Sequence, residues 1–140
     1  MQKLVGFPDG TQELVDLTPE EVSAREAEAA KWLAEQIAEA PNRLRKENEF
    51  NPVTVGGITI TPIDKTLTRL YAVIVGANGA VGWRADNGVF DLTHAQALAL
   101  YQAGQASIAK AFAAQAAIEG NTYNTLEEVE AAYATAYNQA

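Results

Sequence analysis

The chain has 140 residues, 48% hydrophobic and 20% charged, which suits one globular domain or one domain with a helical arm. Ten Lys and Arg against eighteen Asp and Glu leave a net charge of -8, which weighs against phosphate neutralisation and against an anionic membrane surface. Neither half hides a basic patch: residues 1–50 hold 11 acidic and 6 basic side chains, and residues 51–140 hold 7 and 4.

Counting also narrows the chemistry. The absence of Cys removes thiol nucleophiles, disulfides and zinc–thiolate sites. One His (His94) and two Ser (Ser23, Ser107) barely supply a single hydrolase triad. Met1–Gly10 does not read as a signal peptide, and the apolar runs fall short of the roughly 20 residues that span a bilayer. A soluble protein without a membrane span is expected.

Residues 2–16 read as a hairpin around Pro8-Asp9-Gly10, where Pro pre-sets φ and Gly accepts a positive one. Thr18-Pro19-Glu20-Glu21 opens a helix: Thr18 caps, Pro19 takes the first position and Glu21 closes a capping box. Within it, Ala30, Leu33, Ile37, Ala40 and Leu44 form a narrow apolar stripe at 3-4 spacing. The stripe serves either a helix packed on its own domain or an oligomerising arm. Pro41 predicts a kink or break near Ala40, because its ring meets the carbonyl of Ile37. The charged run Asn42–Phe50 reads as a solvated helix face.

Val53–Ile60 is a pair of β-rich runs around Gly56-Gly57, a two-residue hairpin turn. Thr61 and Pro62 then predict a capped helix carrying Ile63, Leu67, Leu70, Val73 and Ile74. A further hairpin spans Val81–Leu92 with Asn87-Gly88 as its turn signal. Thr93-His94-Ala95-Gln96 is a second capping box, opening an Ala-rich helix on which Leu98, Tyr101, Ile108, Phe112 and Ile118 can line one face and the many Ala residues allow close helix approach. Gly120-Asn121 stops it, and Asn124-Thr125 caps a last helix with Val129, Tyr133 and Tyr137.

Several motifs invite chemistry that their context argues against. Gly76, Gly79 and Gly82 have dinucleotide-loop spacing, but a hairpin follows them where the pyrophosphate-binding helix should open. His94 has no second His or Cys with which to hold a metal. Asp86 and Asp91 flank a turn without calcium-loop spacing. Glu20-Glu21 and Glu127-Glu128 sit at helix N-termini, where they complement the macrodipole. Trp83 and Phe90 point either into a core or onto a contact surface.

From about Asn42 to Thr135 the chain resembles an uncharacterised domain family of tail-fibre and tail-fibre-assembly proteins of tailed bacteriophages. Arg43-Leu44-Arg45-Lys46-Glu47, Gly57-Ile58-Thr59-Ile60-Thr61 and the helix with Leu67 and Leu70 carry the likeness in order. Val81–Thr93, with its Trp83, turn Gly88 and Leu92-Thr93 helix start, is its most specific piece, and Ala111-Phe112-Ala113 follows. Asp16–Glu21 is similar to the leader that often precedes such domains. One departure stands at Thr61-Pro62-Ile63-Asp64, where the family often has Asp directly after the Thr.

The resemblance implies no catalytic residue, cofactor or metal. It implies a virion component or assembly chaperone bound to a tail-fibre protein, located in the virion tail or, during assembly, in the host cytoplasm. A host-receptor-binding adhesin at the fibre tip is the alternative. Because fibres are commonly trimeric, it also implies trimeric self-association through the helical stripe. The expected architecture is α+β, mainly helical with two short β-hairpins and an N-terminal helical arm. Residues 1–50 form the hairpin and arm, and 51–140 the compact tail-fibre-associated domain. The expected protein-binding residues are Leu33, Ile37, Leu44, Trp83 and Phe90.

Overall fold

The computed structural model describes residues 2–76 and 79–140. It is mainly helical, with three separate two-stranded antiparallel sheets, an α+β architecture. The chain divides into two units, Met1–Ala38 and Glu39–Ala140.

In the first unit, β1 (Gln2–Gly6) pairs with β2 (Gln12–Asp16) in the register Leu4↔Leu14. Gly10 turns the chain at a φ of 87°, and Asp9 accepts hydrogen bonds from the Thr11 backbone N–H (2.9 Å) and hydroxyl (2.7 Å). Those bonds, the hydroxyl's first, hold the Asp9 carboxyl below its ordinary pKa. The next element, α1 (Pro19–Asn48), starts at the expected box: Thr18 Oγ1 accepts from Glu21 N–H at 3.2 Å. The Glu21 carboxylate also pairs with Lys3, which holds its pKa down.

In the second unit, β3 (Val53–Val55) and β4 (Ile58–Ile60) turn through Gly56 and Gly57, both with positive φ (57° and 78°), as a type I′ turn requires. Helix α2 (Asp64–Val75) follows, then β5 (Val81–Ala85) paired with β6 (Gly88–Leu92). Helix α3 (His94–Ile118) opens on the Thr93–Gln96 capping box, with both reciprocal bonds formed, and α4 (Leu126–Gln139) opens on Thr125. Ile58, Ile60, Leu70, Leu92, Ala97 and Leu100 form the centre of the core.

The structure departs from the sequence expectations at four places. Pro41 lies inside α1 rather than ending it. Ala40, Pro41 and Leu44 are all buried, so packing offsets the hydrogen bond that the proline ring removes. Thr61 does not cap α2; Ile63 is the N-cap and gives no side-chain bond. The Thr61 hydroxyl instead donates to Asp86 Oδ2 at 2.7 Å, a tertiary partner that outcompetes the local one.

The β5–β6 turn residues are Asp86 and Asn87 rather than Asn87 and Gly88, since Ala85 pairs with Gly88. No non-glycine residue takes positive φ among the described residues, and Gly88 carries it at 145°. The fourth departure is the face of α3. Its buried residues are Ala97, Leu100, Gly104, Ser107, Ala111, Ala114 and Ile118, while Leu98 and Phe112 face solvent. Small residues turn inward because α2 and α4 approach closely there. A Cβ on Gly104 would lie 2.9 Å from Leu67 Cδ2 and 3.0 Å from Pro62 Cβ.

The shifted turn has a structural use. Asn87 acts as a peptide mimic against the β3–β4 hairpin: its Oδ1 accepts from Thr59 N–H at 3.0 Å and its Nδ2 donates to the Gly57 carbonyl at 2.8 Å. The Asp86 N–H donates to the Thr59 carbonyl at 2.9 Å. With the Thr61–Asp86 bond, four hydrogen bonds clamp two hairpins that α2 separates in sequence.

Candidate protein-binding surfaces

Burial sorts the five expected contact residues into three settings. Leu33 is exposed and Ile37 half-buried, both on α1 in the first unit. Leu44 is 9% exposed and Ala40 fully covered, so this end of the stripe packs into the second unit's own interior. Trp83 and Phe90 face each other across β5 and β6 and pack half-buried against the core cluster. The Trp83 indole N–H is buried without a hydrogen-bond partner among the described residues.

Exposed apolar residues that periodicity did not single out are more prominent. In the first unit no residue from Gln2 to Ala38 is buried. Strand alternation turns Val5 and Val15 to the half-covered face of the ribbon and leaves Leu4 and Leu14 paired on the open face, Leu14 63% exposed. Phe7 and Trp32 are also exposed. The signal available was the period-2 pattern itself, which puts apolar residues on both faces of the ribbon.

In the second unit a groove of about 390 Å³ lies between α2 and α3, lined by Asp64, Leu67, Thr68, Tyr71 and Tyr101. The two tyrosine rings sit 6.2 Å apart, tilted by 46°, with Tyr71 exposed. A larger groove of about 640 Å³ has a floor of alanines from α3 and a rim of Asn51, Lys110 and Tyr137. The Lys110 ammonium sits 4.3 Å above the Tyr137 ring, and Asn51 Nδ2 donates to the Tyr137 hydroxyl at 3.0 Å. Tyr137 stacks on Tyr133, whose phenol pKa is raised, first by burial and then by that neighbour.

The charged end of α1 is only partly the solvated face that its composition suggests. Arg43 pairs with Glu47 and Glu130 at the surface. Arg45 is covered, its side chain 14% exposed and that of its partner Glu49 18%. Its guanidinium donates to Glu49 (2.6 Å), Asn42 (2.7 Å) and Gln115 (3.0 Å), and lies 4.7 Å from the Phe112 ring centroid.

The remaining polar candidates have structural duties. His94 Nε2 lies 2.7 Å from the Gly76 carbonyl, joining the start of α3 to the end of α2. Glu128 accepts from the Asn124 N–H at 2.8 Å, and Asp86 belongs to the hairpin clamp. In the Gly76–Gly82 loop, Gly76 caps α2 and Gly82 lies in β5; Ala77 and Asn78 lie outside the described residues. Among the described residues there is no group of three or more Asp, Glu or His placed to hold a metal ion, and no helix long and apolar enough to cross a membrane.

Residues 26–137 match the family described as a domain of unknown function, DUF4376. The chain belongs to that family. No curated protein and no solved structure matches it. The DUF4376 match takes in all of the second unit except its last residues, together with the C-terminal part of the arm helix. The β1–β2 hairpin and the first turns of α1 lie ahead of it.

Proposed function

We propose that the chain is a bacteriophage tail-fibre-associated protein, a structural virion component or assembly chaperone that acts by protein–protein binding and not by catalysis. The observation that carries this reading is the first unit. It has regular secondary structure but no buried residue among those described, and it holds Leu4, Phe7, Leu14 and Trp32 in solvent. A two-stranded ribbon needs a partner surface to be stable, and the cross-strand pair Leu4 and Leu14 lies open on it. The likeness of Val81–Thr93 to tail-fibre proteins supplies the class of partner. On this reading the protein resides in the virion tail or, during assembly, in the host cytoplasm.

Co-expression with a tail-fibre protein tests the proposal. A complex that co-elutes on gel filtration at micromolar concentration is expected, and separate elution defeats the idea for that partner. The Tyr71–Tyr101 groove favours a second reading, an adhesin that touches a host receptor, because exposed Tyr71 against half-buried Tyr101, beside Asp64 and Thr68, suits a polar ligand with apolar faces. Presence in purified virions together with cell binding by the isolated protein would select that reading. Absence from virions would select the chaperone.

A further inference from the structure

Asn87 and Gly88 are each required for a separate reason. Gly88 follows the β5–β6 turn at a φ of 145°, a backbone region that residues with a Cβ rarely adopt. Asn87 gives an acceptor to the Thr59 N–H and a donor to the Gly57 carbonyl, a combination that a short amide side chain provides. The fold therefore sets an amide directly before the residue with the least hindered backbone nitrogen, and both residues are exposed to water.

That adjacency is reactive. The Gly88 backbone nitrogen attacks Asn87 Cγ, a C–N bond forms, the Cγ–Nδ2 bond breaks, and Nδ2 leaves as ammonia with the proton from Gly88. Water then opens the cyclic imide at either carbonyl. One opening leaves Asp, and the other leaves iso-Asp, with the side-chain carbon drawn into the main chain. The reaction needs water and a free amide, and in the folded protein the amide is not free. Nδ2, the atom that must leave, is held by the Gly57 carbonyl at 2.8 Å, and Oδ1 is held by the Thr59 N–H at 3.0 Å. Both bonds must open before Cγ can turn to Gly88.

We propose that Asn87 is a deamidation site and that its conversion unlatches the β3–β4 hairpin from the β5–β6 hairpin. Asp keeps an acceptor for Thr59 but turns an oxygen towards the Gly57 carbonyl where a donor stood, and it adds a second carboxylate beside Asp86. Iso-Asp also lengthens the main chain inside the turn that joins Ala85 to its partner Gly88. Loss of ammonia makes the change one-way. The site needs no partner protein and so stands apart from the fibre-associated reading.

Peptide mapping of the full chain, aged at mildly alkaline pH, tests this. Trypsin cleaves after Arg69, Arg84 and Lys110, so Asn87 is the sole Asn of the peptide Ala85–Lys110. The chain's other Asn-Gly pair, Asn78-Gly79, falls in Leu70–Arg84. In guanidinium the two peptides should gain Asp and iso-Asp at similar rates. Without denaturant Asn87 should convert roughly 30-fold more slowly, the ratio for two hydrogen bonds of ordinary net strength. Thr125→Ala, which uncaps α4, should leave that native rate unchanged, because only local opening is needed. In aged protein the hydrogen-exchange protection of the Asp86 amide, which donates to the Thr59 carbonyl, should fall in step with conversion. Asn87→Asp should show the same loss without ageing. No conversion of Asn87 in guanidinium, or a native rate equal to the unfolded one, would overturn the proposal. So would a native rate raised by Thr125→Ala, or a converted protein whose Asp86 amide stays as protected as before.

Discussion

Replacing Arg45 with Ala removes the partner of a carboxylate that has little water of its own. Glu49 is 18% exposed at its side chain and receives its hydrogen bond from Arg45 at 2.6 Å. Asn42 Oδ1 and Gln115 Oε1 lose donors in the same step. Orphaning one member of a covered ion pair costs about 3 kcal/mol, mostly as the penalty of leaving the other charge uncompensated. At 4–8 °C per kcal/mol for a domain of this size, the second unit should melt roughly 12–24 °C lower. Arg45→Met/Glu49→Leu keeps the stem against Phe112 and removes both charges, so it should stay within about 1 kcal/mol of wild type. Urea unfolding in a Trp32→Phe background assigns the fluorescence to Trp83 and hence to the second unit. An Arg45→Ala cost below about 1 kcal/mol would show the pair to be solvent-screened, and a double variant as unstable as the single one would show that the orphaned charge is not the cause.

The remaining predictions concern caps, turns and pH. Asn87→Ala removes two hydrogen bonds between hairpins and should cost about 1–2 kcal/mol in the same urea assay, while Asn87→Asp, which keeps only the acceptor, should recover part of it. Thr93→Ala breaks the α3 capping box and should cost about 1 kcal/mol, with Thr93→Ser close to neutral. Gly104→Val should destabilise by about 2 kcal/mol or more, because its branched side chain meets Pro62 as well as Leu67; crystallography or hydrogen exchange at Pro62–Leu67 would register the displacement. The lowered Glu21 pKa means that its link to Lys3 is in place above the ordinary carboxylate pKa and is lost as pH falls through the depressed one. Protection factors of the β1 amides, which divide out the intrinsic pH dependence of exchange, should therefore fall in that acid window for wild type and be independent of this step in Glu21→Gln.

Features set by a few adjacent residues were legible in the sequence. The turns at Gly10 and Gly56-Gly57, the capping boxes at Thr18 and Thr93 and the stop at Gly120 follow from φ limits and hydrogen bonds within four residues. What the sequence concealed depends on distant partners. Thr61 looks like a cap until Asp86, 25 residues on, takes its hydroxyl. The alanines of α3 announce close helix approach, but that Leu98 and Phe112 stay outside while Gly104 and the alanines turn inward depends on where α2 and α4 lie. Arg45 looks solvated until Gln115 and Phe112 cover it. Of the expected contact residues, Leu33 remains uncovered, whereas Leu44 repeats the same spacing inside a core. Spacing marks a line on a helix but does not say which neighbour lies over it.

The clamp at Asp86 and Asn87 ties the tips of two ribbons to each other rather than to the helices beneath them. A pull on either ribbon is therefore shared with the other before the apolar layer below is loaded, because the hydrogen bonds at Gly57 and Thr59 must stretch first. Helix α2, spliced between the ribbons, becomes a closed loop fastened at both ends. Its unravelling is then coupled to release of the fastening, a form of mechanical cooperativity achieved without any covalent crosslink.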